Sequence, residues 1–324
     1  MKAVVNGEAG LELCELPRPE PKPEEILVRV RAAGLNRADL GMAASGGRAG
    51  HAGGPGRPAG MEWSGEIVAV GSAVAGFAPG ERVMCAGTGG YAEYAVCDAG
   101  RALAIPANTM SFVQAATLPI ALNTMHDALV TNGRLARGET VLIQGASSGV
   151  GLMGLQIARH LGARLVIGTS TDAARRARLK EFGADLALDT GSAGWVEAVL
   201  QATGGAGVDL IVDQVSGALV NPAMRATAIR GRIVNVGRLG GMRGEFDFDL
   251  HALRRIDYIG VTFRTRSVEE IRAIARRMRA DLWPAVEAGT LHLPIDRTFP
   301  LAEAAAAQAH MRANRHFGKV VLTV

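Results

Sequence analysis

The stretch Val141-Leu-Ile-Gln-Gly-Ala-Ser-Ser-Gly-Val-Gly-Leu-Met-Gly-Leu-Gln-Ile-Ala158 constrains the fold more than any other part of the chain. An apolar strand runs into a turn of small residues, and an apolar pattern of helical spacing follows at once. Further apolar runs repeat the rhythm at 164–169, 184–189, 208–213 and 232–236, with a sixth at 257–263. Helical patterns such as Val150–Leu161 and Ala173–Phe182 lie between the first five. Parallel strands need a crossover segment, so this alternation predicts an α/β fold with a doubly wound parallel sheet.

The chain before residue 140 follows a different period. Glu25-Ile-Leu-Val-Arg-Val-Arg31 alternates apolar and charged residues, and Glu66–Val70 and Arg82–Met84 are further short strands, separated by Gly71, Gly76 and the Pro79-Gly80 turn. Short strands punctuated by glycine predict a small β-barrel. After residue 263 an amphipathic helix to about Gly289 and a last strand, Lys319–Val324, leave the alternation and are expected to return to the first domain. Two domains also suit a chain of 324 residues, since a single core stops growing at about 250–300. Ala43–Gly60, rich in glycine and alanine, reads as a mobile loop.

Composition narrows the function. With 48% hydrophobic and 20% charged residues the chain is ordinary globular material. No run approaches the roughly 20 apolar residues of a membrane span, and the opening Met1–Gly7 has no leader pattern, so a cytoplasmic protein is expected. Cys14, Cys85 and Cys97 show no CxxC or Cys/His grouping and suggest neither a disulfide framework nor a metal site. A net charge of +4 is a weak field over this length. The arginines of 264–279 recur on one side of a helical pattern and read as a solvated face, which weighs against a nucleic-acid partner.

The turn after the first of these strands carries the chemistry. Ala146, Ser148 and Gly151 fill the three small-residue slots of a GxGxxG pattern, and Gly145, Ser147, Gly149 and Val150 complete the turn. A helix beginning near Gly149 aims unpaired N–H groups and its positive dipole end at a pyrophosphate, which makes 121–265 a Rossmann dinucleotide-binding domain. A tight strand-to-helix turn without a ligand is the plainer alternative. The end of the second strand distinguishes the nicotinamide cofactors, because a carboxylate there binds the ribose 2′-hydroxyl and repels a 2′-phosphate. Here Thr169 and Ser170 stand at that end and Arg175 follows one turn later, a pattern that favours NADPH. Asp172 argues the other way unless helix N–H groups engage its carboxylate at an N-cap.

Taken with this turn, several segments resemble the zinc-independent quinone oxidoreductases of the medium-chain dehydrogenase/reductases. They are Gly34-Leu-Asn-Arg-Ala-Asp39, Gly60-Met-Glu-Trp-Ser-Gly-Glu66, Pro79-Gly-Glu-Arg-Val83, Gly89-Gly-Tyr-Ala-Glu-Tyr94 and Asn314-Arg-His-Phe-Gly-Lys-Val-Val321. Within that family the first and last resemble most the p53-inducible type. The resemblance implies a GroES-like catalytic domain from both chain ends, 1–120 and 266–324, and a homodimer paired through the Rossmann sheet. It implies that Asn36 and Thr124 lie beside the nicotinamide, with Asn36 able to polarise an acceptor oxygen, although each also reads as a residue satisfying local backbone. Gly237 and Arg238, Phe263 and Arg264, and Lys319 resemble family contacts to the cofactor. Trp63 is a candidate wall of the acceptor pocket, and a packing tryptophan is an equal alternative.

The zinc alcohol dehydrogenases of the superfamily carry cysteine where this chain has Asn36 and histidine where it has Met61. Catalytic zinc takes about three protein ligands, so no metal is expected. Without a Lewis acid to stabilise an alkoxide, the expected substrate is an acceptor that is already electrophilic, a quinone or an activated alkene. The resemblance therefore implies NADPH-dependent hydride transfer to a quinone. Alternatives are reduction of an enoyl or 2-alkenal double bond and, from another class, a crystallin-like or RNA-binding role. His126 and His51 are weak candidates for a proton donor, and Asp213 reads as a turn former. Leu40–Gly60 contains no aromatic residue, which removes the tyrosine that quinone reductases of this type often place there.

Overall fold

The computed structural model describes residues 1–7, 10–44, 56–106 and 110–324, without the side chains of 41–44. Most of the Ala43–Gly60 loop, and His51 within it, falls outside the described residues. The chain divides into two compact units, one of Met1–Ile120 with Arg264–Val324 and one of Ala121–Phe263.

The barrel unit begins with the hairpin β1 (Lys2–Gly7) and β2 (Gly10–Glu15). Its main sheet contains β3 (Glu25–Gly34), β4 (Glu62–Val70), β5 (Arg82–Ala86), β6 (Tyr94–Asp98) and β7 (Ala102–Ala104). Strand β3 is the hub. Along it Arg29 faces solvent while Val28 and Val30 turn inward, and it pairs antiparallel with β4 and β6.

The Rossmann unit holds six parallel strands: β8 (Thr140–Ile143), β9 (Leu165–Thr169), β10 (Leu186–Leu188), β11 (Val208–Asp213), β12 (Thr227–Asn235) and β13 (Asp257–Gly260). They run in the order β10-β9-β8-β11-β12-β13. The order reverses between β8 and β11, which places a crevice at the carboxyl ends of those two strands. Their central residues, Val141–Ile143 and Leu210–Val212, are all apolar and buried because central parallel strands are covered on both faces. The pattern over Ala173–Phe182 divides into an α-helix, Ala173–Ala177, and a 3-10 turn, Arg178–Phe182, closed by left-handed Gly183.

The chain then returns to the barrel unit. The helix Val268–Glu287 opens with a capping box between Ser267 and Glu270. Strands β14 (Ile295–Pro300) and β15 (Lys319–Thr323) follow, and β15 pairs antiparallel with β3, Val321 opposite Gly34. Val28, Val30, Trp63, Tyr91, Val320 and Leu322 meet in the core that results. The fold is a GroES-like barrel and a Rossmann sheet.

Candidate active site

In the Rossmann unit the glycine turn is built from backbone. Gly145 has φ 67°, a left-handed conformation that glycine adopts without strain. Its N–H donates to Thr169 Oγ1 at 3.1 Å, and Ala146 N–H donates to the Thr169 carbonyl at 2.8 Å, so the end of β9 braces the turn. Ser148 is the N-cap of the helix Gly149–His160 and accepts from Gly151 N–H at 3.0 Å. A Cβ on Gly151 would lie 2.6 Å from both Ala146 Cα and the Gly145 carbonyl oxygen, backbone atoms that cannot swing aside. The helix N-terminus is thereby held close against the turn, as a pyrophosphate cradle requires. Val150 follows in the first turn of the helix and is half-buried.

Gln214, just beyond β11, is a residue that the motif did not point to. Its side-chain N–H donates to the Gln144 carbonyl at 2.9 Å, and its Oε1 accepts from the Ser148 hydroxyl at 3.3 Å. It ties the two strands that flank the crevice. Asp213 forms a turn, its Oδ1 accepting from the N–H groups of Val215 and Ser216, both at 2.8 Å.

At the end of β9 the Ser170 hydroxyl donates to Ser147 Oγ at 3.1 Å, so two hydroxyls meet where a carboxylate would select NAD. Asp172 is the N-cap of Ala173–Ala177 and accepts from Arg175 N–H at 2.8 Å. That bond holds its carboxyl below the usual range and engages it with the helix. The Arg175 guanidinium is half-buried, its Nε 3.6 Å from Asp172. Arg176 donates to the Ser170 carbonyl at 2.8 Å and pairs with Asp189 at 3.0 Å.

Gly237 donates to the Asp213 carbonyl at 3.1 Å, and a Cβ there would strike the Gln214 carbonyl oxygen at 2.6 Å. Arg238 is half-buried beside it. Phe263 and Arg264 follow β13 in an irregular segment.

In the barrel unit the site is built from side chains. Asn36, Glu62 and Lys319 are all buried and bonded to one another. Lys319 Nζ donates to Glu62 Oε2 at 2.6 Å and to Asn36 Oδ1 at 3.0 Å. Asn36 Nδ2 donates to Glu62 Oε2 at 3.0 Å, and Ile120 N–H donates to Glu62 Oε1 at 2.7 Å. Asp39 continues the network, its Oδ2 accepting from Asn36 N–H at 2.8 Å and from the Tyr91 hydroxyl at 2.9 Å. Burial raises the Asp39 carboxyl to about 6 and lifts the Tyr91 phenol well above its ordinary value.

Thr124 stands in the helix Pro119–His126, with His126 at its last position, fully buried. Trp63, the candidate pocket wall, has no exposed surface and lies in the barrel core, where Gly87 and Gly90 leave room for the indole. On the basic helix, Arg272 is bonded to Asp98, Glu24 and Glu269, so its charge is answered within the unit.

Two family profiles match the chain: the alcohol dehydrogenase GroES-like domain over residues 22–107 and the zinc-binding dehydrogenase over 149–279. The chain is 30% identical to the quinone oxidoreductase of Rattus norvegicus over 312 residues, 94% of this chain and 90% of that protein. It is 28% identical over 310 residues to a highly reducing polyketide synthase of Emericella nidulans, 93% of this chain but 12% of the synthase. The chain spans only 4–15% of the polyketide synthases among its curated relatives. A mycobacterial protein solved in complex with NADPH matches over all of both chains, with a TM-score of 0.88 and 27% identity. The chain belongs to the medium-chain dehydrogenase/reductases of the quinone oxidoreductase type.

The second profile's name raises zinc, and the residues present do not fit it. Asn36 and Met61 stand at two ligand positions of the zinc dehydrogenases, and the cation beside Asn36 is the ammonium of Lys319. Among the described residues no three His, Cys, Asp or Glu side chains group closely enough to hold a metal. The nicotinamide cofactor is different, because the cradle at Gly145–Gly151 fits a pyrophosphate. Among the described residues no helix is long and apolar enough to cross a membrane.

Proposed function

We propose that this oxidoreductase uses NADPH to reduce a quinone or similar electrophilic acceptor by direct hydride transfer without zinc. The observation that carries this reading is the Asn36 amide, held by Lys319 and Glu62 where a metal-dependent enzyme needs a thiolate ligand. The residues Gly145–Gly151 take the pyrophosphate. Ser147, Ser170 and Arg175 take the 2′-phosphate, while Thr169 holds the turn in place. Gly237, Arg238, Phe263 and Arg264 line the rest of the cofactor's path. Thr124 and Asn36 serve the reacting end.

When bound, NADPH supplies the hydride. The acceptor gains that hydride and a proton, which water supplies. Asn36 donates a hydrogen bond to the oxyanion that develops, and such donors act strongly because they are already oriented. An acceptor that is already electrophilic needs little more than this and correct placement.

Reduction of an activated carbon–carbon double bond is the second reading, favoured by the match to a highly reducing synthase. Comparing NADPH oxidation with 1,4-benzoquinone, an enone and an enoyl-thioester separates the two. Fastest turnover of the quinone supports the first reading, and turnover of the thioester alone replaces it with the second. A crystallin-like or RNA-binding role requires no turnover of any acceptor, and RNA binding would weaken steeply with salt.

We propose a homodimer that pairs along the edge strand β13, a reading supported by exposed Phe248, which lines an open hollow with Phe246, His251 and Tyr258. Sedimentation velocity tests it, and a monomer at micromolar concentration contradicts it. A cytoplasmic location is part of the same reading and is checked by cell fractionation.

A further inference from the structure

Glu62 is fully buried, and three donors converge on its two oxygens: Lys319 Nζ, Asn36 Nδ2 and Ile120 N–H. Only an ionised carboxylate presents acceptors at both oxygens and no donor. A glutamine of the same shape must turn an NH₂ group toward at least one of the three. Lys319 also donates to Asn36 Oδ1, so the Asn36 amide is held at both ends, its oxygen by an ammonium and its nitrogen by a carboxylate. Among the described residues the amide nitrogen makes one other contact, 3.5 Å to the Gly34 carbonyl, at the limit of hydrogen-bond length. An ammonium bonded to the amide oxygen draws electron density from the nitrogen. Bonds in a dry interior polarise one another in this way, which makes the remaining N–H a stronger donor.

We propose that Glu62 and Lys319 are positioning residues that make Asn36 a charge-backed hydrogen-bond donor to the acceptor's developing oxyanion. The fixed ammonium polarises the site through the amide, as a metal ion does by direct coordination in the zinc enzymes. The inference rests on the reading of Asn36 given above. Lys319 keeps its proton throughout: hydride comes from the reduced nicotinamide, the neutralising proton from water, and Asn36 only donates a hydrogen bond. The carboxylate has a second task, since Ile120 lies in the first turn of the helix Pro119–His126 and its N–H lacks an intrahelical partner.

The test uses full-length Glu62→Gln, Lys319→Met, Lys319→Arg and the double variant E62Q/K319M. Steady-state kinetics with NADPH and 1,4-benzoquinone are read beside NADPH affinity from fluorescence titration. Each of Glu62→Gln and Lys319→Met is expected to lower kcat by about tenfold to a hundredfold, less than the roughly hundredfold to thousandfold loss of an oxyanion donor itself, because Asn36 stays in place. NADPH affinity changes by less than about threefold, since uniform binding is untouched. Lys319→Arg recovers part of the rate. The double variant removes both buried charges and is expected to fold without regaining kcat. A double variant with wild-type kcat, or a Glu62→Gln protein with unchanged kcat, overturns the proposal.

A second readout does not depend on turnover. In ¹⁵N-labelled protein the Asn36 side-chain NH₂ resonances, assigned by their loss in Asn36→Ser, are expected to shift in Lys319→Met. Resonances that stay in place overturn the proposal. If they shift while wild-type protein reduces no acceptor, the network stands and the functional reading fails.

Discussion

In the Rossmann unit the proposed cofactor site is mainly backbone: a left-handed glycine, a helix N-terminus and a turn packed so closely that Gly151 has no room for a Cβ. In the barrel unit the proposed site is instead made of side chains: Asn36, Glu62, Lys319, Asp39 and Tyr91, from four separate stretches of chain, are locked into one buried network. A pyrophosphate has the same shape and charge in every such enzyme, so backbone geometry suffices to bind it. Acceptors differ, and side chains are the part of a fold that can change without moving the backbone. The cost also differs. Backbone donors at a helix end are satisfied by water or ligand, whereas four ionisable groups in a core must answer one another.

The largest expected effect breaks the barrel half of this comparison. Glu62→Ala leaves the Lys319 ammonium buried without its carboxylate, and removing one partner of a buried pair costs about 3–5 kcal/mol. Urea unfolding checks this, and a loss below about 1 kcal/mol, the value of an exposed pair, denies that the network is buried and coupled. Gly151→Val attacks the other half. The added atoms meet backbone at 2.6 Å, so the helix must retreat from the turn. NADPH affinity is expected to fall about a hundredfold, or roughly 2.7 kcal/mol, in a fluorescence titration with little change in the fold.

Asp39→Asn sharpens the contrast through pH. Burial raises the folded-state Asp39 carboxyl from 3.8 to about 6, so the folded protein binds a proton that the unfolded chain has released. This contribution to stability is complete below about pH 4 and is lost as pH rises through about 6. Asp39→Asn keeps the shape and removes the titration. Relative to wild type, its stability is expected to gain up to about 3 kcal/mol between pH 4 and pH 7.5. Parallel urea midpoints across that range would remove the assignment. The smallest effect is at the end of β9, where Arg175→Ala is expected to lower the NADPH-over-NADH preference about tenfold, one charge-assisted contact. Unchanged selectivity in steady-state kinetics removes Arg175 from the 2′-phosphate site.

The same contrast explains what could be read in advance. Strand β11 falls on the same residues as its apolar run, 208–213, and the helix after the glycine turn begins at Gly149, because strand, turn and helix signals are local. The N-cap role of Asp172 was legible for the same reason. Glu62 was not, because its partners lie 26, 58 and 257 residues away and long-range pairing leaves no periodic trace. A signal existed: Glu62 and Lys319 are charged residues within strands whose neighbours are small or apolar, and a charge in such a place needs a partner. Gln214 left no such mark, since glutamine beyond a strand end reads as loop.

The proposal that an ammonium-backed amide serves where related enzymes use zinc is tested by NADPH oxidation with 1,4-benzoquinone in chelator-treated protein. Turnover is expected to be the same before and after metal removal and unaffected by added zinc. Activity lost on chelation and restored by zinc contradicts it.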